Sequence, residues 1–434
     1  MTNLLYANDR AGQFPNSYYA ASTALPDARP SLAGHHRTDV AVIGGGYTGL
    51  WAALTLARRG MKVTLIDAHR AGWGASGRNG GQVGADYNKG QLWLEERLGR
   101  DTSQALWALV GEAVDMVRDF CRDHAPEAQF KDGIVHGSYT DDTAKFAAEI
   151  EHLDRYYPDH GLTALDRDGV QSIVRSQSYV SGALNMRAGH VHPLRYALAL
   201  AREAEAAGAV IYENTEALRI DTGPRAVIHT PNGSLTADHV ILAGNGYMRG
   251  LAAPVDARVL PVNSFIGATA PLGDLALQVL SRDVAAFDSS WVVNYFRLSE
   301  DGRLLFGGRS NYSRRFPTDM GGKLLDRMHT MFPQLAGQGF DYVWGGTLGV
   351  TYSRLPYATR VAPNILSTSG YSGHGVALAG LAGRLMAEAV AGQAERFDTL
   401  SQLPVNPLPL GPFAQGPVMA LAMLWFSLRD RIGI

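Results

Sequence analysis

Three glycine-rich segments carry residues whose types and spacing suit the binding of a phosphorylated cofactor. The first is Gly44-Gly45-Gly46-Tyr47-Thr48-Gly49, in which Gly44, Gly46 and Gly49 form G-x-G-x-x-G. In such a turn the first glycine permits the bend and the second lets backbone approach a pyrophosphate. The third lets the following helix pack closely on the strand before it. Asp67 closes the next apolar run, where a carboxylate can accept hydrogen bonds from ribose hydroxyls. The second segment runs from Gly74 through Ala75, Ser76, Gly77, Arg78, Asn79, Gly80 and Gly81 to Gln82. Its backbone can lie against an extended cofactor, and Ser76 and Arg78 offer contacts to pyrophosphate or ring oxygens. The third, Gly373-His374-Gly375, opens a helix whose positive end would stabilise negative charge on a bound ring.

These segments need elements to hold them. Asp39–Ile43 reads as a strand, Thr48–Arg59 as a helix stopped by Gly60, and Met61–Ile66 as a second strand, so the fingerprint sits inside a βαβ unit. Residues 1–37, broken by Pro15, Pro26 and Pro30, read as an irregular arm. Leu92 to Cys121 has amphipathic helical spacing, Gly133–Tyr139 reads as a strand, and Thr143–Tyr156 as a helix. Pro193 suits a first helical turn, with Gly208 as the stop. Strands are expected at Ala209–Glu213, Leu218–Asp221 and His239–Ala243, and Glu300-Asp301-Gly302 is a hairpin signal. Ile365–Thr368 then leads through the third glycine segment into a helix over Val376–Ala391. The class is α/β, with the dinucleotide unit completed by late segments and a substrate region inserted between them.

The chain has 434 residues, of which 46% are hydrophobic and 18% charged, which suits two domains of ordinary globular composition. Lys and Arg number 39 against 41 Asp and Glu, so no electrostatic case exists for nucleic acid or an anionic membrane. Cys121 is the single cysteine, which excludes an internal disulfide, a cysteine zinc site and an iron–sulfur cluster in this chain. No metal site is expected, and a cytoplasmic setting is. The N-terminus lacks the pattern of a signal peptide, and no apolar run reaches the roughly 18 residues of a membrane span. Val418–Leu428 is expected to form a C-terminal helix packed on the body, with docking to a membrane surface or partner as the alternative. Nothing in the sequence signals an oligomeric state.

A single complete fingerprint favours a flavoprotein that takes electrons directly from substrate over one that also holds NAD(P)H. DVAVIGGGYTGL, GASGRNGGQV, YFRLSEDGRLLFGGR, WGGTLGVTYSRLP and GYSGHGVALAG together resemble the D-amino-acid-oxidase-type superfamily of FAD-dependent oxidoreductases. Within it the resemblance is strongest to the γ-glutamylputrescine oxidase branch. It implies a Rossmann-type FAD domain over 38–98, 186–258 and 345–400. It also implies a noncontiguous substrate domain over 99–185 and 259–344, on a mixed, largely antiparallel sheet, and a tail at 401–434. Noncovalent FAD is the expected cofactor. Its expected contacts are Gly44, Gly46, Tyr47, Thr48, Gly49, Asp67, Ala68, Ser76, Arg78, Asn79, Gly80, Gly81 and Gln82. Ala217, Gly244, Gly373, His374, Gly375 and Val376 complete that set.

The reaction implied is oxidation of an amine C–N bond to an imine, hydrolysed to an aldehyde, with O2 reduced to H2O2. Its residues are expected to position the amine and exclude water. His374, Tyr371, Trp344 and Tyr295 are the catalytic candidates, and Trp291 joins the aromatic ones. Two departures from sarcosine-oxidase relatives bear on substrate. Ala377 and Gly80-Gly81 stand where those relatives place cations for a substrate carboxylate, which argues for an amine without one. Leu304-Leu305-Phe306 also lacks the lysine that assists oxygen there. That leaves open a dehydrogenase passing electrons to a quinone or carrier protein. A third alternative is a non-catalytic flavin subunit of a larger complex.

Overall fold

The computed structural model describes residues 3–408 except 249, 291 and 312, and the side chain of Arg309 is also left out. Trp291 and the Val418–Leu428 segment lie outside the described residues.

Two sheets organise the chain. The first has the order Tyr357–Ala362, Ile365–Ser369, Gly233–Leu242, Gly34–Ile43, Val63–Ile66, Val210–Tyr212, with Arg219–Asp221 and Ala226–Thr230 paired onto its flank. Its inner strands are parallel, and only Tyr357–Ala362 runs against its neighbour on that path. Val63–Ile66 is buried throughout, as a parallel strand covered on both faces should be. On one face lie the helices Tyr47–Arg58, Arg100–His124, Pro193–Ala206 and Gly375–Val390, which share one apolar core with the strands. The other face is closed by a smaller cluster around Leu32, Ile228, Met248 and Val255.

The second sheet runs Phe340–Val350, Leu260–Pro271, Arg303–Asn311, Tyr295–Leu298, Ala285–Asp288, Lys131–Ser138, Ser181–His190, Gln82–Val83, with Leu162–Leu165 on Ser181–His190. Only the Ala285–Asp288 and Lys131–Ser138 pair is parallel. The hairpin at Glu300-Asp301-Gly302 joins Tyr295–Leu298 to Arg303–Asn311 as its turn residues require.

Several boundaries differ from the sequence reading. The first strand starts at Gly34, and the arm before it is folded onto the body, with Tyr18, Tyr19 and Leu32 buried. The Leu92–Cys121 stretch is two helices, Gln91–Leu98 and Arg100–His124, broken at Gly99 with φ +79°. Residues 186 and 345, expected as domain borders, fall inside the strands Ser181–His190 and Phe340–Val350 of the second sheet. Arg100–His124, expected on the substrate side, packs in the core of the dinucleotide side. Its buried Leu106, Val110, Val114 and Val117 stripe needs an apolar partner, and the Rossmann helices supply it.

Candidate functional site

At the first glycine segment Gly44 takes φ +112°, and a Cβ there would lie 2.8 Å from the Ala243 backbone of the neighbouring strand. A Cβ on Gly49 would collide with the Gly44 carbonyl oxygen, so both positions need glycine for the turn to close. Gly46 caps the helix Tyr47–Arg58 without a side-chain cap bond. Instead the Tyr47 N–H donates to Ser76 Oγ at 3.0 Å, and a Cβ on Gly46 would sit 2.9 Å from that oxygen. Fingerprint and second glycine loop thus form one cradle, with the Ser76 hydroxyl proton left for a phosphate. The Tyr47 ring is buried, its hydroxyl donating to Pro193 O at 3.0 Å, so Tyr47 offers the cradle only backbone.

Asp67 is tied to this turn. Its Oδ2 accepts from Gly45 N–H at 2.6 Å and its Oδ1 from His69 N–H at 2.7 Å. Burial outweighs both bonds and pushes the carboxyl up to about 6. Each oxygen keeps a lone pair that a ribose hydroxyl could use, so the acid shapes the turn and retains the capacity to bind a sugar. Ala68, Ala217 and Gly244 are half-buried positions.

Arg78 is largely engaged by the protein itself. Its side chain is 1% exposed and donates to Trp73 O at 2.6 Å, Gly345 O at 3.2 Å and Asp9 Oδ2 at 2.9 Å. The guanidinium also lies 4.4 Å from the Trp73 ring centre, and His69 stacks on that ring at 3.7 Å. Such a group braces the loop from behind, while its buried Nη2 has no partner among the described residues and keeps its N–H groups for a bound molecule. Asn79 is also a brace, donating to Ala75 O and Ser76 O and accepting from Gly81 N–H. Gln82 donates to Ala286 O at 2.8 Å, linking the loop to the second sheet.

The third segment turns back toward the first. The Tyr371 and Thr48 hydroxyls are 2.8 Å apart, and Tyr371 donates to Thr368 O at 3.1 Å, so this buried tyrosine joins the starts of the two helices. His374 caps the helix Gly375–Val390, which likewise has no side-chain cap bond. Two helix N-termini with free backbone donors therefore lie side by side, with Val376 buried behind the second. His374 Nδ1 is 3.1 Å from Asp86 Oδ1. Burial disfavours the imidazolium, but the Asp86 carboxylate outweighs it and raises the histidine above its ordinary range.

Register across the second sheet brings together what the sequence separates. Gly307 pairs with Tyr295, Tyr295 with Phe287, and Phe287 with His136, which places their side chains in one row on one face. A Cβ on Gly80 would lie 2.9 Å from the Tyr295 ring, so this face is the one turned to the second glycine loop. Tyr295 is half-buried, its hydroxyl 3.1 Å from Ser264 Oγ. Trp344 is 2% exposed, and its Nε1–H donates to Arg78 O at 2.9 Å, so it supports the loop from the sheet side. His136 and Phe287 escaped the sequence reading because only strand register pairs them. Asp86 was findable, four residues beyond Gln82 in the same loop.

The residues fit FAD: a glycine cradle that any Cβ would fill, two open helix N-termini, a carboxylate at the ribose position and an aromatic sheet face opposite the loop. Comparison with known proteins agrees. A family model described as FAD dependent oxidoreductase (DAO) matches residues 39–389. The chain is 39% identical over 417 residues to a probable oxidoreductase OrdL of Rhizobium meliloti, covering 96% of this chain and 97% of that protein. It is 36% identical over 422 residues to the gamma-glutamylputrescine oxidoreductase of Escherichia coli, covering 96% and 99%. A glycine oxidase structure from Geobacillus kaustophilus superimposes with TM-score 0.67 at 24% identity, covering 82% of this chain and 95% of that one. An L-proline dehydrogenase from P. horikoshii gives TM-score 0.69 at 19% identity, covering 88% and 99%. At these identities the two structures speak to the fold.

Proposed function

The chain belongs to the FAD-dependent oxidoreductase family, and from that premise we propose that it oxidises a primary or N-alkyl amine of the γ-glutamylputrescine type. FAD, held by the glycine cradle and the two helix starts, would supply a two-electron acceptor for oxidation of the amine C–N bond, and hydrolysis of the imine product would give an aldehyde and ammonia or an amine. The chain's own groups position the amine between the aromatic row and the helix start at Gly375 and keep water out.

The observation that carries this reading is the lack of an available cation where a carboxylate on the carbon being oxidised would need one. Ala377 is 1% exposed inside the helix Gly375–Val390. Gly80 and Gly81 do have a guanidinium beside them, that of Arg297. It is engaged by Gly80 O at 2.7 Å, Val191 O at 3.0 Å, Leu298 O at 3.2 Å and the Tyr19 hydroxyl at 3.3 Å. A desolvated carboxylate left unpaired costs several kcal/mol, so small amino acids are disfavoured. The E. coli relative's name supports the same substrate class. Anaerobic bleaching of the bound flavin by amines, against sarcosine and D-alanine, tests this. Faster reduction by the amino acids would sink it.

For the acceptor we propose O2, with H2O2 as product. One observation favours a second reading, transfer to a quinone or carrier protein: Leu304, Leu305 and Phe306 are all buried and apolar, with no lysine among them. Reoxidation in air, compared with an added quinone, decides between them. Among the described residues no helix is long and apolar enough to cross a membrane. A cytoplasmic setting fits the single, buried cysteine, Cys121.

A further inference from the structure

The surroundings of His374 hold a carboxylate that amine oxidation itself does not use. Asp86 follows the Gln82–Val83 strand, and its side chain is 53% exposed although it pairs with His374 through Oδ1. Its Oδ2 has no hydrogen-bond partner among the described residues. Within electrostatic reach of it lies His136, whose ring stacks on Phe287 at 4.7 Å with 13° between planes. Phe146 meets that histidine edge-on at 5.5 Å. Burial holds His136 below its ordinary range, so its ring is a neutral aromatic surface. Glu149, on the helix Thr143–Tyr156, is also within electrostatic reach of Asp86. Burial, and then the Asp86 charge, raises its carboxyl. At the same mouth, a Cβ on Gly373 would meet nothing within 4 Å, so the space beside His374 is open.

A half-exposed carboxylate with an oxygen to spare, beside open space and within electrostatic reach of aromatic rings, suits a cation. It does not suit the reacting nitrogen. A carboxylate there would hold that nitrogen as ammonium, which has no lone pair to assist hydride departure. Resting on the amine reading above, we propose that Asp86, beside His374 and the open space at Gly373, holds a second, non-reacting cationic group of the substrate. The enzyme then prefers diamines and amine conjugates with a charged tail to monoamines of equal length. The Asp86–His374 pair fixes the carboxylate's orientation, and Glu149 lies within electrostatic reach of the same carboxylate.

The test compares anaerobic flavin reduction by 1,4-diaminobutane, by its N-acetyl derivative with a neutral tail, and by butylamine. In the native enzyme the diamine should half-saturate at a concentration at least about tenfold below the other two, the span expected of a charge-assisted bond. Asp86→Asn should remove that difference by raising the diamine value, and Asp86→Glu should restore part of it. Calorimetry with a bis-quaternary butane dication and its mono-quaternary counterpart gives a binding readout on the native protein, independent of turnover. Equal affinity for the two, or a loss in Asp86→Asn that is the same for all three amines, overturns the proposal while leaving amine oxidation standing. If no amine bleaches the native flavin, the amine reading fails and the proposal with it.

Discussion

Asp67 serves two structures with one carboxylate, and this gives its titration a consequence. It accepts from Gly45 and His69 in the protein alone, yet burial still pushes it up to about 6. A carboxyl whose folded value exceeds its unfolded value near 4 binds its proton more tightly when folded. Its contribution therefore favours the flavin-free fold below about pH 4 and is lost as pH rises through about 6. Ribose hydroxyls donating to the carboxylate favour the ionised form, so FAD binding near pH 6 should release a proton. Calorimetric titration of the apoprotein with FAD in two buffers of different ionisation enthalpy measures that release. Asp67→Ala should abolish it and weaken FAD roughly ten- to a hundredfold, the worth of about 1.5–3 kcal/mol. A variant with unchanged affinity would show that Asp67 only shapes the turn. Asp67 was legible because acid, strand and spacing are local features. The engagement of Arg78 was not, since its acceptors come from residues 9, 73 and 345.

The N-terminal arm is the element whose role the sequence conceals most. Three prolines and no periodicity predict irregular chain, and residues 3–12 do run largely without regular structure. They are nonetheless fastened along the cofactor side. His69 donates to Leu5 O at 2.8 Å and accepts from Gly12 N–H at 3.1 Å, and the Asn3 and Tyr6 side chains donate to Glu216. Asn8 donates to Arg314 O and accepts from Phe316 N–H, reaching the second sheet's side of the molecule. Asp9 pairs with Arg78, with side-chain exposures of 15% and 1%. Removing one partner of a buried pair leaves an uncompensated charge, which costs about 3–5 kcal/mol. Asp9→Ala should therefore lower the urea midpoint substantially. Tyr6→Phe, which removes an exposed bond to Glu216, should cost under about 1 kcal/mol. Equal effects would mean that Arg78 finds another partner when Asp9 is gone. Contacts of this kind join positions tens to hundreds of residues apart, and no local pattern encodes them.

At the scale of the molecule, the cofactor half reads directly from sequence because its strand, turn, helix and acid are consecutive. The late loop reads for the same reason: Gly373-His374-Gly375 directly precedes the helix it opens. The substrate half does not, since its working surface is a row of residues on four strands whose order follows from pairing. The same whole-molecule geometry decides how flavin is retained. A covalent link through sulfur would need Cys121, the chain's only cysteine. That residue lies in the helix Arg100–His124, 1% exposed in the apolar core behind the dinucleotide helix, alongside Tyr196 and Phe120. Burial pushes its thiol up to about 12, so almost no thiolate exists at neutral pH to attack a ring. With no cysteine link, we expect the cradle, the two helix starts and the braced loop to retain the flavin together. Acid or heat should release the flavin intact, without proteolysis, at one FAD per chain, and Cys121 should stay unreactive to thiol reagents until the protein unfolds. Flavin that remains on the denatured polypeptide would require a linkage through a residue other than cysteine.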